Sequence, residues 1–95
     1  MPGYDLVLII SPEMAEDEIP HTIEKVSESI NKLGGSVTEV NQWGKRKLAY
    51  PIKRFSDGNY ALAKIQIKQT QLKELEVGLK LSEDILRYLI IKETA

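Results

Sequence analysis

The chain contains no cysteine, which rules out a disulfide, a zinc–thiolate site and a thiol nucleophile. It has one histidine, His21, set off the apolar stripe of an acidic segment. A lone histidine with no cysteine beside it cannot assemble a catalytic triad without improvising from lysine or carboxylates, so an exposed, solvated side chain is expected there. No apolar run approaches the roughly 20 residues that a membrane span needs. The segment Met1–Asp5 has no basic stretch, and Leu6–Ile10 is too short for the core of a secretory leader. A cytoplasmic protein that is not membrane-bound is expected. Negative charge is missing from the stretch richest in cations: no Asp or Glu lies between Val40 and Ser56.

The remaining features that could carry chemistry have simpler explanations. The acid pairs Asp17/Glu18 and Glu83/Asp84 sit at a helix start and at a turn, where capping and turn formation account for them. Gly34-Gly35 is not followed by a helix and so makes no phosphate-cradling loop. No catalytic residue, metal site, cofactor or small-molecule substrate is therefore expected.

What is present is a compact block of positive charge. Residues 43–54 carry Lys45, Arg46, Lys47, Lys53 and Arg54, five cations with no acid among them. Residues 1–39 hold eight acids against two bases, and residues 57–95 hold six of each, so the overall net charge of −1 hides a local +5. On charge alone a solvated hairpin would explain this block. A polyanion is the commonest partner for such a patch, and Trp43, Tyr50 and Phe55 are interleaved with the cations. Backbone and shape recognition of folded RNA suits this mixture better than sequence-specific reading of a single strand.

At 95 residues, 42 % hydrophobic and 28 % charged, the chain is expected to form a single domain over residues 1–95. Tyr4–Ile10 is a short run rich in branched residues, apolar on both parities, and reads as a central strand. Ile19, Ile23, Val26, Ile30 and Leu33 form one helical stripe in Glu16–Leu33. Pro20 must sit in the first turn, so the helix should begin near Asp17, and Gly34-Gly35 should end it. Ser36–Ile52 reads as a long strand with irregularities between Val37 and Val40 and at Gly44, and Pro51 means that it lies at a sheet edge or ends near there. Ser56-Asp57-Gly58-Asn59 carries a turn signal. Tyr60–Lys68 alternates, with Ala61, Ala63, Ile65 and Ile67 on its core face. Thr70 is positioned to cap a second helix, Gln71–Leu81, with Leu72, Leu75 and Leu79 inward and an unexplained Gly78. In the last strand, Ile85–Ile91, Leu86, Tyr88 and Ile90 point one way, while Ile85, Arg87, Leu89 and Ile91 point the other.

The order β-α-β-β-α-β with right-handed crossovers predicts an α+β ferredoxin-like sandwich. Its four-stranded antiparallel sheet should have the spatial order four, one, three, two, with both helices on one face. The open face would carry Val7, Ile9, Tyr60, Leu62, Arg87, Leu89 and Ile91, which is too apolar to face water alone. A partner protein, a second copy or the long second strand curling over should cover it.

The residues also fall into a known pattern. Tyr4-Asp5, Gly34-Gly35, Trp43-Gly44 with Arg46, Leu48-Ala49-Tyr50-Pro51-Ile52, Gly58-Asn59-Tyr60 and Ile85-Leu86-Arg87 occur in order from Tyr4 to Lys92. In this the chain resembles the bacterial ribosomal protein six family of the small subunit. The resemblance implies the fold just described and a non-enzymatic assembly component of the cytoplasmic ribosome. It also implies a partnership with small-subunit ribosomal protein eighteen, the pair binding the central domain of the small-subunit ribosomal RNA. Arg46 and Arg87 match the family's basic positions. With Lys92 they are the leading candidates for phosphate contact, followed by Lys45, Lys47, Lys53 and Arg54. Val7, Ile9, Leu48, Tyr50, Tyr60, Leu62, Leu89 and Ile91 are the candidates for the partner-protein surface. The alternative is a small-ligand regulatory module, because this fold hosts many unrelated functions.

Overall fold

A computed structural model describes residues 2–93. The elements are β1 (Gly3–Ile10), α1 (Ile19–Lys32), β2 (Ser36–Ile52), β3 (Phe55–Gln66), a 3-10 turn at Gln69–Gln71, α2 (Leu72–Leu81) and β4 (Ile85–Lys92). The strands form one sheet in the order β2-β3-β1-β4, and every neighbouring pair is antiparallel. This is the expected ferredoxin-like sandwich.

Strand alternation builds the core. Tyr4, Leu6, Leu8 and Ile10 of β1 are buried against the helices, as are Ala61, Ala63 and Ile65 of β3. From α1 the stripe Ile19, Ile23, Val26 and Ile30 packs down on them, and from α2 Leu75 and Leu79. The opposite parity of β1, Val7 and Ile9, is only half-buried, because both helices lie on the other face. β4 is tied to α2 by the Tyr88 hydroxyl, which donates to Glu76 Oε1 at 3.1 Å. Burial, together with this bond, raises the Tyr88 hydroxyl above its ordinary pKa.

Several local expectations hold. α1 ends where Gly34 adopts φ +84 and the Gly35 N–H donates to the Ile30 carbonyl at 2.9 Å, which satisfies orphaned helix-end groups. The register of β2 against β3 shifts between Val37 and Glu39 and again between Gln42 and Gly44, with Gly44 at φ +84. A third shift leaves four residues of β2, Leu48–Pro51, facing the single residue Ser56 of β3. Pro51 thus lies in a looped-out stretch on an edge strand, where its missing N–H breaks no ladder.

Four expectations are corrected. The hairpin turn is at Lys53-Arg54, between the paired residues Ile52 and Phe55, and not at Ser56–Asn59. Lys53 itself supplies the positive φ, 57°. The glycine and asparagine that looked like turn residues serve tertiary contacts instead. A Cβ on Gly58 would lie 2.6 Å from Ile9 Cγ2, so glycine allows the sheet to close there. The buried Asn59 side chain donates to the Ser11 carbonyl at 3.1 Å. α1 begins at Ile19 rather than near Asp17, since Pro20 is comfortable only in the first turn. Thr70 lies inside the 3-10 turn, and no side chain caps α2. Finally, Ile85 is a core residue, 6 % exposed, because a register shift at Ile9/Ile10 sets it opposite Ile10.

Gly78 now has a setting. It lines a groove between α1 and α2 together with Thr22, Val26, Ser29 and Leu75, and a Cβ there would meet nothing within 4 Å. Replacing it should relieve the helix-propensity cost of glycine without a clash. Gly78→Ala is expected to stabilise the protein by about 1 kcal/mol, read as a higher midpoint in chemical denaturation.

Candidate nucleic-acid interface

The basic block occupies the outer half of the β2–β3 hairpin. Lys45, Arg46 and Lys47 pair with Asn59, Gly58 and Asp57 of β3. Asn59 lies opposite Ile10, which is buried under the helices. Alternation then puts Lys45 and Lys47 on the helix side of the hairpin and Arg46 on the open side. All three are exposed. Lys47 faces the acid Asp57 across the ladder, which tempers its charge.

Trp43 and Arg46 are three residues apart, a spacing that sets side chains on opposite faces of a regular strand. The extra residue at the Gly44 bulge changes this, and the Arg46 guanidinium lies over the Trp43 ring, 5.9 Å from its centroid. The bulge thus serves to hold a cation against an aromatic face, leaving the guanidinium edges open to an anion.

The turn is anchored on the body of the protein. Arg54 pairs with Glu13 of the β1–α1 connection at 3.2 Å and stacks over Phe55, 5.0 Å from the ring centroid. Both charged partners are well exposed, so the pair contributes little to stability. Lys53, at the tip, is exposed.

The hairpin also bends back over the open face. Leu48 Cδ2 lies 3.9 Å from where a Gly58 Cβ would be, beside Ile9 Cγ2. The Arg87 guanidinium on β4 donates to the Tyr50 hydroxyl at 3.0 Å, a bond that holds Arg87 above its ordinary pKa. β2 and β4 are opposite edges of the sheet, so this contact spans its width. It joins a candidate phosphate ligand, Arg87, to a candidate partner-surface residue, Tyr50. Lys92 is separated from this group. It lies five residues along β4 from Arg87, about 17 Å at the strand rise, at the far end of the sheet.

On the open face Val7, Ile9, Tyr60 and Leu62 are half-buried. The exposed apolar part is Leu89 at 55 % and Ile91 at 49 %, with Tyr50 at 61 %. Between them lies a charged pair not counted among the candidate residues: Lys64 Nζ stands 3.7 Å from Asp5 Oδ1. Asp5 is opposite both Lys64 and Ile91 in the sheet. The sequence signal for this pair was the acid–base identity of two central-strand residues on the open parity, and it required the strand register to be seen as a contact.

Among the described residues, no cluster of three or more His, Asp or Glu is placed to hold a metal ion, and no helix is long and apolar enough to cross a membrane.

Residues 3–92 match the family model described as ribosomal protein S6. The small ribosomal subunit protein bS6 of Dictyoglomus turgidum is 44 % identical over 90 residues, which span 95 % of this chain and 93 % of that protein. The bS6 protein of Natranaerobius thermophilus is 39 % identical over 93 residues, spanning 98 % and 97 %. Among solved structures, 30S ribosomal protein S6 from Thermotoga maritima superposes with a TM-score of 0.90 at 29 % identity, covering 97 % of this chain and 87 % of that one.

Proposed function

This chain belongs to the ribosomal protein S6 family, and from that premise we propose that it binds the central domain of small-subunit ribosomal RNA jointly with small-subunit ribosomal protein eighteen. It is a component of the small subunit of the cytoplasmic ribosome, and it acts by binding, not by catalysis. The observation that supports this most is the juxtaposition of two surfaces. A cationic hairpin whose residues 40–56 carry no acid stands at one edge of the sheet, and beside it lies an apolar face whose outermost residues, Leu89 and Ile91, are exposed.

Each surface has a distinct role. Arg46, steadied on Trp43, and Lys45, Lys47 and Lys53 neutralise phosphates. Arg87 orients Tyr50 and offers its remaining N–H groups to the same backbone. Arg54 contributes mainly through its hold on Glu13, and Lys92 contacts a separate phosphate, because it is too far from the hairpin to share one. The partner protein takes Val7, Ile9, Leu48, Tyr60, Leu62, Leu89 and Ile91, with Tyr50 at the seam between protein and RNA. Specificity then comes from shape and from the paired proteins, since phosphate contacts carry no sequence information.

Few cations are available, so the protein alone should bind RNA weakly and the pair tightly. The test is binding to central-domain RNA at two salt concentrations, with and without the partner. Log affinity of the pair should fall with log salt at a slope of roughly −0.7 to −0.9 per phosphate contact. Equal affinity with and without the partner would overturn the joint-binding reading. Salt-independent binding would overturn the phosphate roles.

A further inference from the structure

We propose that the free edge of β4 is also a self-association surface, on which two copies of this chain pair antiparallel about Ile90 to make one continuous sheet. β4 is a sheet edge, and its register against β1 is unbroken from Arg87 to Lys92. No proline interrupts it. Of the devices that block edge-to-edge pairing, this stretch carries only charge, at Arg87 and Lys92, and one register gives both a partner.

The backbone defines which registers are allowed. The Glu93 N–H donates to the Gly3 carbonyl of β1 at 2.9 Å. Main-chain groups alternate along a strand, so Ile91, Leu89 and Arg87 also turn theirs toward β1. Leu86, Tyr88, Ile90 and Lys92 turn theirs outward. Two copies can pair only outward residue to outward residue, which allows centres at Tyr88, Leu89, Ile90 or Ile91, and the last sets the apolar Leu89 against Glu93.

Side chains select among these centres. Centring on Tyr88 sets Arg87 against Leu89, and centring on Leu89 sets Arg87 against Ile91. Only the register centred on Ile90 places Arg87 opposite Glu93 of the second copy and Leu89 opposite Ile91, each twice by symmetry. These four are non-hydrogen-bonded positions, where facing side chains approach most closely. Arg87, Leu89 and Ile91 are the exposed residues of β4 on the open face, and Glu93, also exposed, follows the strand directly. On the other face Lys92 of the second copy meets Tyr88, whose hydroxyl holds the Glu76 carboxylate, in a groove lined by Gln69, Leu72 and Glu76.

A single strand pair buries less than a standard interface, so the dimer is weak, with a Kd on the order of 0.1 mM. Because it covers Leu89 and Ile91, it competes with the partner protein proposed above. It is a property of the unassembled chain.

The test is sedimentation velocity of the full chain from about 10 µM to about 1 mM. The mass is expected to rise from 10.8 kDa toward twice that value. Arg87→Glu alone and Glu93→Arg alone each set like charges against one another, and each should weaken association about tenfold. An equimolar mixture of the two variants sets opposite charges at both ends and should recover wild-type association. Loss of the Arg87–Tyr50 bond cannot be repaired by mixing, so recovery separates pairing from local structural damage. A chain that stays monomeric at about 1 mM would overturn the proposal, and so would a mixture no stronger than its components.

Discussion

Replacing Lys45, Arg46 and Lys47 together by glutamine is expected to weaken binding of the protein pair to central-domain RNA by at least about a hundredfold, while the melting temperature moves by no more than about 2 °C. Each of the three is exposed on the outer half of the hairpin. Contacts to charged groups contribute roughly 1.5–3 kcal/mol each when desolvated, so three such losses at only about 1 kcal/mol each exceed a hundredfold. Stability should hardly change, because exposed surface charges contribute little to it. The hairpin is held instead by the β2–β3 ladder and by Arg54 and Tyr50, which remain. The salt slope adds an independent measure: it should shrink by about 2–3 units if all three touch phosphate. An unchanged slope would show that these cations only face solvent. Glutamine keeps the stem length, so lost packing is not confused with lost charge.

Leu8→Ala should act on the other link, stability, and cost about 2–5 kcal/mol. Leu8 is 1 % exposed and sits in the middle of a central strand, between Ala61 on β3 and Tyr88 on β4. Its neighbour Ala61 is too small to fill the cavity, and Tyr88 is held by its bond to Glu76. The site therefore cannot collapse easily, which favours the upper half of that range. In a domain this size each kcal/mol lowers the melting temperature by about 4–8 °C, so a drop of roughly 15–40 °C is expected in a thermal scan. A drop below about 5 °C would mean that the helices settle onto the gap. At a temperature where the variant is still folded, its RNA affinity should be unchanged.

These two substitutions separate what holds the fold from what it presents, and the two were not equally legible in the chain. Element order, strand order and core membership follow from local chemistry. The alternation in β1 and β3, the four-three spacing of Ile19, Ile23, Val26 and Ile30, and the glycines at 34 and 35 each act over a few residues. A period of 2 or 3.6 survives whatever the rest of the chain does. The basic block was equally visible, as was the family pattern of Trp43-Gly44 with Arg46.

What the chain alone left open depends on residues far apart in it. Gly58 and Asn59 have the chemistry of a turn, but Ile9 and Ser11, some 48 residues away, claim them for close packing and a buried hydrogen bond. The turn then moves to Lys53-Arg54, where no glycine or asparagine announces it. Ile85 changes face because one register shift against β1 outweighs its own alternation. Arg54 is turned toward Glu13, Arg87 toward Tyr50 and Lys92 to the opposite end of the sheet, although all read alike as cations. Local periodicity determines which elements form and which face is apolar. Strand register and long-range contact, each set by the sum of many side-chain fits across the sheet, decide which of those residues meet.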